Sequence, residues 1–238
     1  RSIKLDKFSI SDYKLDFGLQ YTYKLNKKNT INIGAVYTLG RTLHGDAYKY
    51  HQTGAESNGS IYVQSQTGDT IPNPFKMPHT FGIGLTYVYD NRLTIGVDYT
   101  LQKWNTADLA WSKFNKESVE MNSRTKIAFG AEFVPSYISH NYLKRIRYRM
   151  GAYYSSPYNK VSYTSPDTGT TSFQDGAREY GVSIGFGLPM FQSKSMLNIS
   201  GQYIKVSPKF KGLMEENYLR INIGLTFNER WFMKWKVD

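Results

Sequence analysis

Apolar and polar positions alternate with a period of two along most of the chain, the repeat of a β-strand with one greasy face. Between residues 79 and 89, Phe81, Ile83, Leu85, Tyr87 and Tyr89 fall on one side, and Thr80, Gly82, Gly84, Thr86 and Val88 on the other. After Asp90-Asn91 the alternation resumes with Leu93, Ile95, Val97, Tyr99 and Leu101, so the two segments predict a hairpin. The same pattern recurs over Leu15–Tyr23, Ile31–Leu39, Thr125–Phe133, Ile146–Tyr154, Tyr180–Leu188, Leu197–Lys205 and Leu219–Phe227, which makes nine predicted strands. Only Thr125, Gly201 and Lys205 interrupt their apolar faces.

The opposite faces carry Asp16, Gln20, Asn32, Asp98, Lys126, Glu132, Arg147, Arg149, Ser183, Asn198, Gln202, Arg220 and Asn222, interspersed with glycine. A soluble sandwich also alternates, but its apolar faces must pack on one another. Segments of about ten residues, apolar outside and polar inside, are what a transmembrane barrel demands, because lipid meets one face and water the other. Connections at 25–29, 90–92, 135–144 and 189–195 are short, whereas those near 41–78, 104–122, 156–178 and 206–217 are longer. That alternation matches tight periplasmic turns and longer external loops. The fold class expected is therefore all-β, a transmembrane antiparallel up-and-down β-barrel in the bacterial outer membrane. If the last strand descends to the periplasm, the first one descends too, so an odd number of strands is expected upstream. Residues 1–238 are then a single barrel domain that forms the C-terminal part of a larger barrel.

Composition narrows the setting. The chain has 238 residues, 20 of them Tyr and none Cys, and its longest apolar runs are a few residues, well short of the roughly 18 of a helical span. Absence of cysteine removes a disulfide scaffold and a thiol enzyme. The net charge of +11 calls for an anionic counterpart. Its Lys and Arg residues are spread along the chain with no helix-turn-helix, zinc-finger or RNA-binding aromatic pattern, so lipid headgroups and lipopolysaccharide are expected as partners, and nucleic acid is not.

The hairpin Pro78-His79-Thr80-Phe81-Gly82-Ile83-Gly84-Leu85-Thr86-Tyr87, Asp90-Asn91-Arg92-Leu93-Thr94-Ile95-Gly96-Val97-Asp98-Tyr99 and Trp104 resembles the FadL/TodX family of outer-membrane transporters, as does the closing stretch Asn217 to Glu229 with Trp231 and Phe232. That resemblance implies a barrel of about 14 strands, of which an N-terminal hatch and the first strands precede this chain. It also implies a monomer that takes up long-chain fatty acids or other hydrophobic small molecules passively. The alternatives are a structural or secretion-associated barrel that holds a protein partner, and a general polar porin.

Candidate chemistry is sparse. Inward Lys126, Arg147, Arg149 and Arg220 have the cationic groups that bind a carboxylate head group, and they equally suit ion pairs with Asp98, Glu132, Asp16 or Glu179. Inward glycines either leave room for a plug or ligand or ease strand curvature. His44 with Asp46 is the one lead toward an enzyme, and none of the four histidines has metal-ligand spacing. Neither catalysis, a metal nor a cofactor is expected. Tyr23, Tyr37, Tyr89, Trp104, Tyr154, Tyr180 and Tyr218, at strand ends, are expected to form interfacial girdles.

Overall fold

A computed structural model describes residues 2–57, 60–106, 120–164, 171–190, 195–208 and 214–227. Strands are numbered in chain order. Nine form one antiparallel sheet: β2 (Asp16–Lys24), β3 (Asn29–Thr38), β8 (Thr80–Tyr89), β9 (Leu93–Gln102), β10 (Arg124–Phe133), β11 (Arg147–Ser155), β14 (Ala177–Pro189), β15 (Met196–Pro208) and β16 (Glu216–Thr226). They lie side by side in chain order, and each of the nine segments read from the period-two pattern is one of them. Among the described residues β2 pairs only with β3 and β16 only with β15, so the sheet has two open edges.

The hairpin at 80–102 shows how local chemistry fixes register. Asp90 and Asn91 both take positive φ, 50° and 53°. Two successive left-handed residues make the turn whose twist matches that of the flanking strands, and Asp and Asn tolerate that conformation better than most side chains. The turn sets Tyr89 opposite Leu93 and Leu85 opposite Val97, which keeps the apolar side chains of the two strands on one face, Val88 excepted.

The register carries straight across the sheet. On the apolar face Val97, Phe129, Ala152, Val182, Tyr203 and Leu219 form one row. On the polar face Gly96, Gly130 and Gly151 sit side by side on three adjacent strands, flanked by Thr86 and Ser183. Other glycines of that face make room for neighbours: a Cβ on Gly181 would fall 2.0 Å from the Tyr153 ring, and one on Gly84 2.4 Å from Asp98 Oδ1.

The long connections hold more structure than the sequence reading gave them. β1 (Ser2–Ile10), β5 (Gly45–Ser57) and β6 (Ser60–Pro72) form a three-stranded antiparallel sheet with β5 in the centre. β4 (Arg41–Thr42) pairs with β7 (Lys76–Met77), and β12 (Lys160–Thr164) with β13 (Thr171–Asp175). The stretch 41–78, expected as a loop, is thus largely strand. These strands mix polar and apolar residues on both faces, which erases the period-two signal. The connection after β10, expected as a short turn, contains a one-turn helix α1 (Tyr142–Arg145), whose Asn141 side chain accepts the Leu143 N–H at 3.0 Å.

Buried apolar side chains are few. Among the described residues they are Ala47 and Ile71 between β5 and β6, Val134 and Ile146 flanking the α1 connection, Ile204 on β15, and the loop prolines Pro74, Pro78 and Pro157. A soluble all-β fold of this size would bury the apolar faces of its strands in one core. Here they stay on the surface.

Candidate functional site: an exposed apolar face backed by a polar one

Every strand of the nine-stranded sheet presents large apolar side chains outward. Leu19 is 75% exposed, Ile184 63% and Leu219 77%, and the same holds for Ile33, Ile83, Val97, Phe129 and Met150. Isolated exposed apolar residues are ordinary, but a face continuous over nine strands far exceeds the few hundred Å² typical of soluble monomers. Such a face is stable only against hydrocarbon or another apolar layer.

Aromatic rings gather toward both ends of that face. At the long-connection end Tyr37 contacts Phe17, Phe81 and His79 with ring centroids 6.4, 5.0 and 6.0 Å away, and Tyr154 meets Tyr180 at 5.3 Å. At the short-turn end Tyr148 meets Phe186 edge-on at 5.9 Å. Of the residues expected in these bands, Tyr218 departs: it lies in the polar-face row with Gly181 and Tyr153 and donates its hydroxyl to Glu216. Trp104 sits in a 3-10 turn beyond β9, its Nε1 donating to Gln102 Oε1 at 3.2 Å. Trp231 and Phe232 lie outside the described residues.

All four cations singled out from the sequence share the polar face, but they do not form one site. Arg147 Nη1 and Arg149 Nε hold the two carboxylate oxygens of Glu132 at 3.2 and 2.7 Å. Arg149 Nη1 also donates to Asn198 Oδ1 at 2.8 Å. Lys126 lies at the other end of β10, about 20 Å from Glu132 at roughly 3.3 Å per residue. There its Nζ sits 4.8 Å from the centroid of the Tyr153 ring. The Tyr153 hydroxyl donates to Glu179 at 2.5 Å, and Arg124 approaches the same carboxylate at 4.0 Å. Arg220, on the edge strand opposite Gln202, is exposed and makes no hydrogen bond or ion pair among the described residues. Ion pairing thus occupies Arg147 and Arg149, and no single head group spans the four.

The sequence reading missed the polar cluster at the root of the three-stranded sheet. Asp12, whose side chain is 5% exposed, accepts the His44 N–H at 2.9 Å and lies 3.1 Å from His44 Nδ1. Arg41 Nη1 reaches its other oxygen at 3.2 Å, and the Arg41 guanidinium lies 4.0 Å above the Tyr13 ring. The His44 amide, the Tyr13 amide and the Arg41 charge hold the Asp12 carboxyl at about 2, below its ordinary 3.8. His44 is therefore joined to Asp12, not to Asp46, which sits on β5 opposite Ser9 and Pro72. Nothing in the sequence marks a pairing across that separation. Among the described residues no group of three or more His, Asp or Glu side chains is placed to hold a metal.

Fold and faces together define an all-β chain built on an open antiparallel sheet with one exposed apolar and one polar side. The BamG family model matches residues 1–238, and the chain belongs to the BamG family. No curated protein and no solved structure matches it. The match overturns the FadL/TodX resemblance. What carried that resemblance was an Asp-Asn turn between strands alternating glycine and apolar residues, and any hairpin with this turn geometry and one crowded face favours those residues.

Proposed function

We propose that the nine-stranded sheet is part of the wall of an outer-membrane β-barrel, and that the protein serves as a structural component holding a protein partner during outer-membrane barrel assembly. The observation that carries the first half is the continuous exposed apolar face over nine strands, edged by aromatic rings and backed by a polar face. In hydrocarbon, unpaired backbone groups on the β2 and β16 edges would each cost several kcal/mol, so a membrane wall requires both edges to be paired. The family's name, BamG, supports the second half, since it points to barrel assembly and to the bacterial outer membrane.

Passive uptake of hydrophobic small molecules drew on the transporter resemblance. The partner-holding role takes its place because the polar face spends Arg147 and Arg149 on Glu132 instead of leaving them open to a head group. The three-stranded sheet at the long-connection end gives the protein a body beyond the wall on which a partner can rest.

The test uses the full-length protein in its own membrane. Depletion is expected to lower the level of several folded outer-membrane barrels at once, and purification in mild detergent to bring down assembly subunits. Recovery in the soluble fraction would refute the membrane wall. Normal barrel levels together with lost growth on long-chain fatty acids would return the protein to transport.

A further inference from the structure

The two ends of the nine-stranded sheet differ in how their charges are balanced. At the short-turn end, outside the Glu132 cluster, Lys24, Lys27, Lys28, Arg92 and Lys144 are set against the single described carboxylate of Asp90. Asp90 is engaged by Arg92 at 3.6 Å, while Lys24, Lys27, Lys28 and Lys144 make no ion pair among the described residues. At the other end acidic groups are interspersed with the cations and take up several of them, Arg41 by Asp12, Lys14 by Asp16, Lys160 by Glu120 and Lys205 by Glu215, while Lys76, Lys103 and Arg178 make no ion pair among the described residues.

Directly below the basic rim, on the apolar face, lies a depression of about 410 Å³ between the ends of β9, β10, β11 and β14. Leu93, Phe133, Tyr148 and Phe186 wall it, and Ala131 and Met150 lie one row deeper. The small Ala131 side chain leaves the space open. The connection carrying α1 stands at its mouth and is fixed there. Val134 N–H donates to Arg92 O at 2.7 Å, Ser136 N–H to Lys144 O at 2.8 Å, and the Tyr148 hydroxyl to Leu143 O at 3.0 Å. Tyr148 thus both walls the depression and holds the turn of helix that bears Lys144 and Arg145. On the same connection Ile138 is 93% exposed and Leu143 62%, apolar tips set next to cations as at a membrane interface.

We propose that this rim and depression bind an anionic phospholipid, its phosphate held by Lys144 and Arg145 and one acyl chain laid over Ala131. The inference rests on the reading of the apolar face as lipid-facing and adds to it a specific lipid class and place. An acidic protein would satisfy the rim charge but has no use for an apolar depression continuous with the lipid-facing surface. A phospholipid uses both at once.

The full-length protein is tested first by flotation with vesicles of phosphatidylethanolamine and phosphatidylglycerol, then by native mass spectrometry of the lipids it retains from an equal mixture. Wild-type protein is expected to retain phosphatidylglycerol preferentially. Lys144→Gln with Arg145→Gln should lower that retention roughly tenfold, at about fivefold per charge with partial compensation from the remaining rim. Ala131→Phe should reduce retention of both lipids without altering the charge, and Lys103→Gln at the opposite end should change nothing. Equal retention of the two lipids, or unchanged selectivity in the double variant, would overturn the site. So would a double variant that keeps its lipid selectivity but loses crosslinking to an acidic protein. Failure to float overturns the lipid-facing reading itself, and this site with it.

Discussion

Arg149 on β11 reaches past a whole strand to Asn198 on β15, its Nη1 donating at 2.8 Å across β14. Gly185 stands opposite Arg149 on the intervening strand, and a Cβ there would already lie 3.6 Å from Arg149 Cβ and 3.2 Å from Ser200 Cβ. Gly185→Leu is therefore expected to displace the guanidinium and cost about 1–3 kcal/mol, read as a lower urea midpoint in detergent. Gly185→Ala should cost much less. Equal loss from the two substitutions would mean that the path over β14 is not what the glycine protects.

Glu132 is the shared counter-charge of two guanidinium groups, so its loss leaves both without one. Glu132→Gln should destabilise the protein by about 1–2 kcal/mol, between the values typical of exposed and buried pairs, because these side chains are partly exposed. Arg147→Gln in the same background should restore part of the loss. A double-mutant cycle with no coupling would show that the pairing contributes nothing.

Two polar-face glycines should respond in opposite directions. Gly181→Ala forces a methyl group against the Tyr153 ring and should cost about 1–3 kcal/mol. Nothing lies within 4 Å of a Cβ at Gly130, so Gly130→Ala should be neutral or stabilising by up to about 1 kcal/mol. Heat-modifiable migration on gels compares the two directly.

The Asp12 latch sets a pH window. Its carboxyl titrates at about 2 when folded, below the ordinary 3.8, so its contribution is complete above about pH 4 and is lost as pH falls toward 2. Protection from hydrogen exchange in the peptide spanning residues 39–45, taken relative to the intrinsic exchange rate at each pH, should fall across that interval in the wild type. In Asp12→Asn that protection should already be low at neutral pH and should not change further in acid. Loss of protection already complete at pH 5 would assign the change to another group.

Val182 lies mid-strand on the apolar face, in the row with Phe129 and Tyr203. Val182→Arg should cost about 2–4 kcal/mol if hydrocarbon covers it and should impair insertion, whereas Ser183→Arg, one residue along and on the polar face, should be tolerated. Tolerance of both would place water on both sides.

The nine strands were legible because one environment covers one side of each: Leu, Ile, Val and Tyr recur at every second position of β8 and β9, and nothing but a strand satisfies that spacing. β1 and β5 escaped because they have no sustained asymmetry; Phe8 and Leu5 fall on opposite sides of β1, and on β5 Tyr48 and Tyr50 share a side with Asp46 and Gln52 while Ala47 shares the other with Lys49 and His51. The hint left in the sequence was Asn58-Gly59, a favoured two-residue hairpin tip that lies outside the described residues. The polar face was readable residue by residue, but which cation meets which carboxylate depends on register, and pairing Arg149 with Glu132 needs the alignment of β10 with β11. The joining of Asp12 to His44 depends on how β1 returns along β5, a contact with no local signature.

Gly96, Gly130 and Gly151 give three neighbouring strands a shared line without Cβ atoms on their polar side. Bending a sheet toward one side crowds the substituents there, and this line has none to crowd. It works as a crease running across the strands: β9, β10 and β11 can bend along their length there at little steric cost, while the rows on either side, bearing Glu132 and Tyr153, stay comparatively stiff.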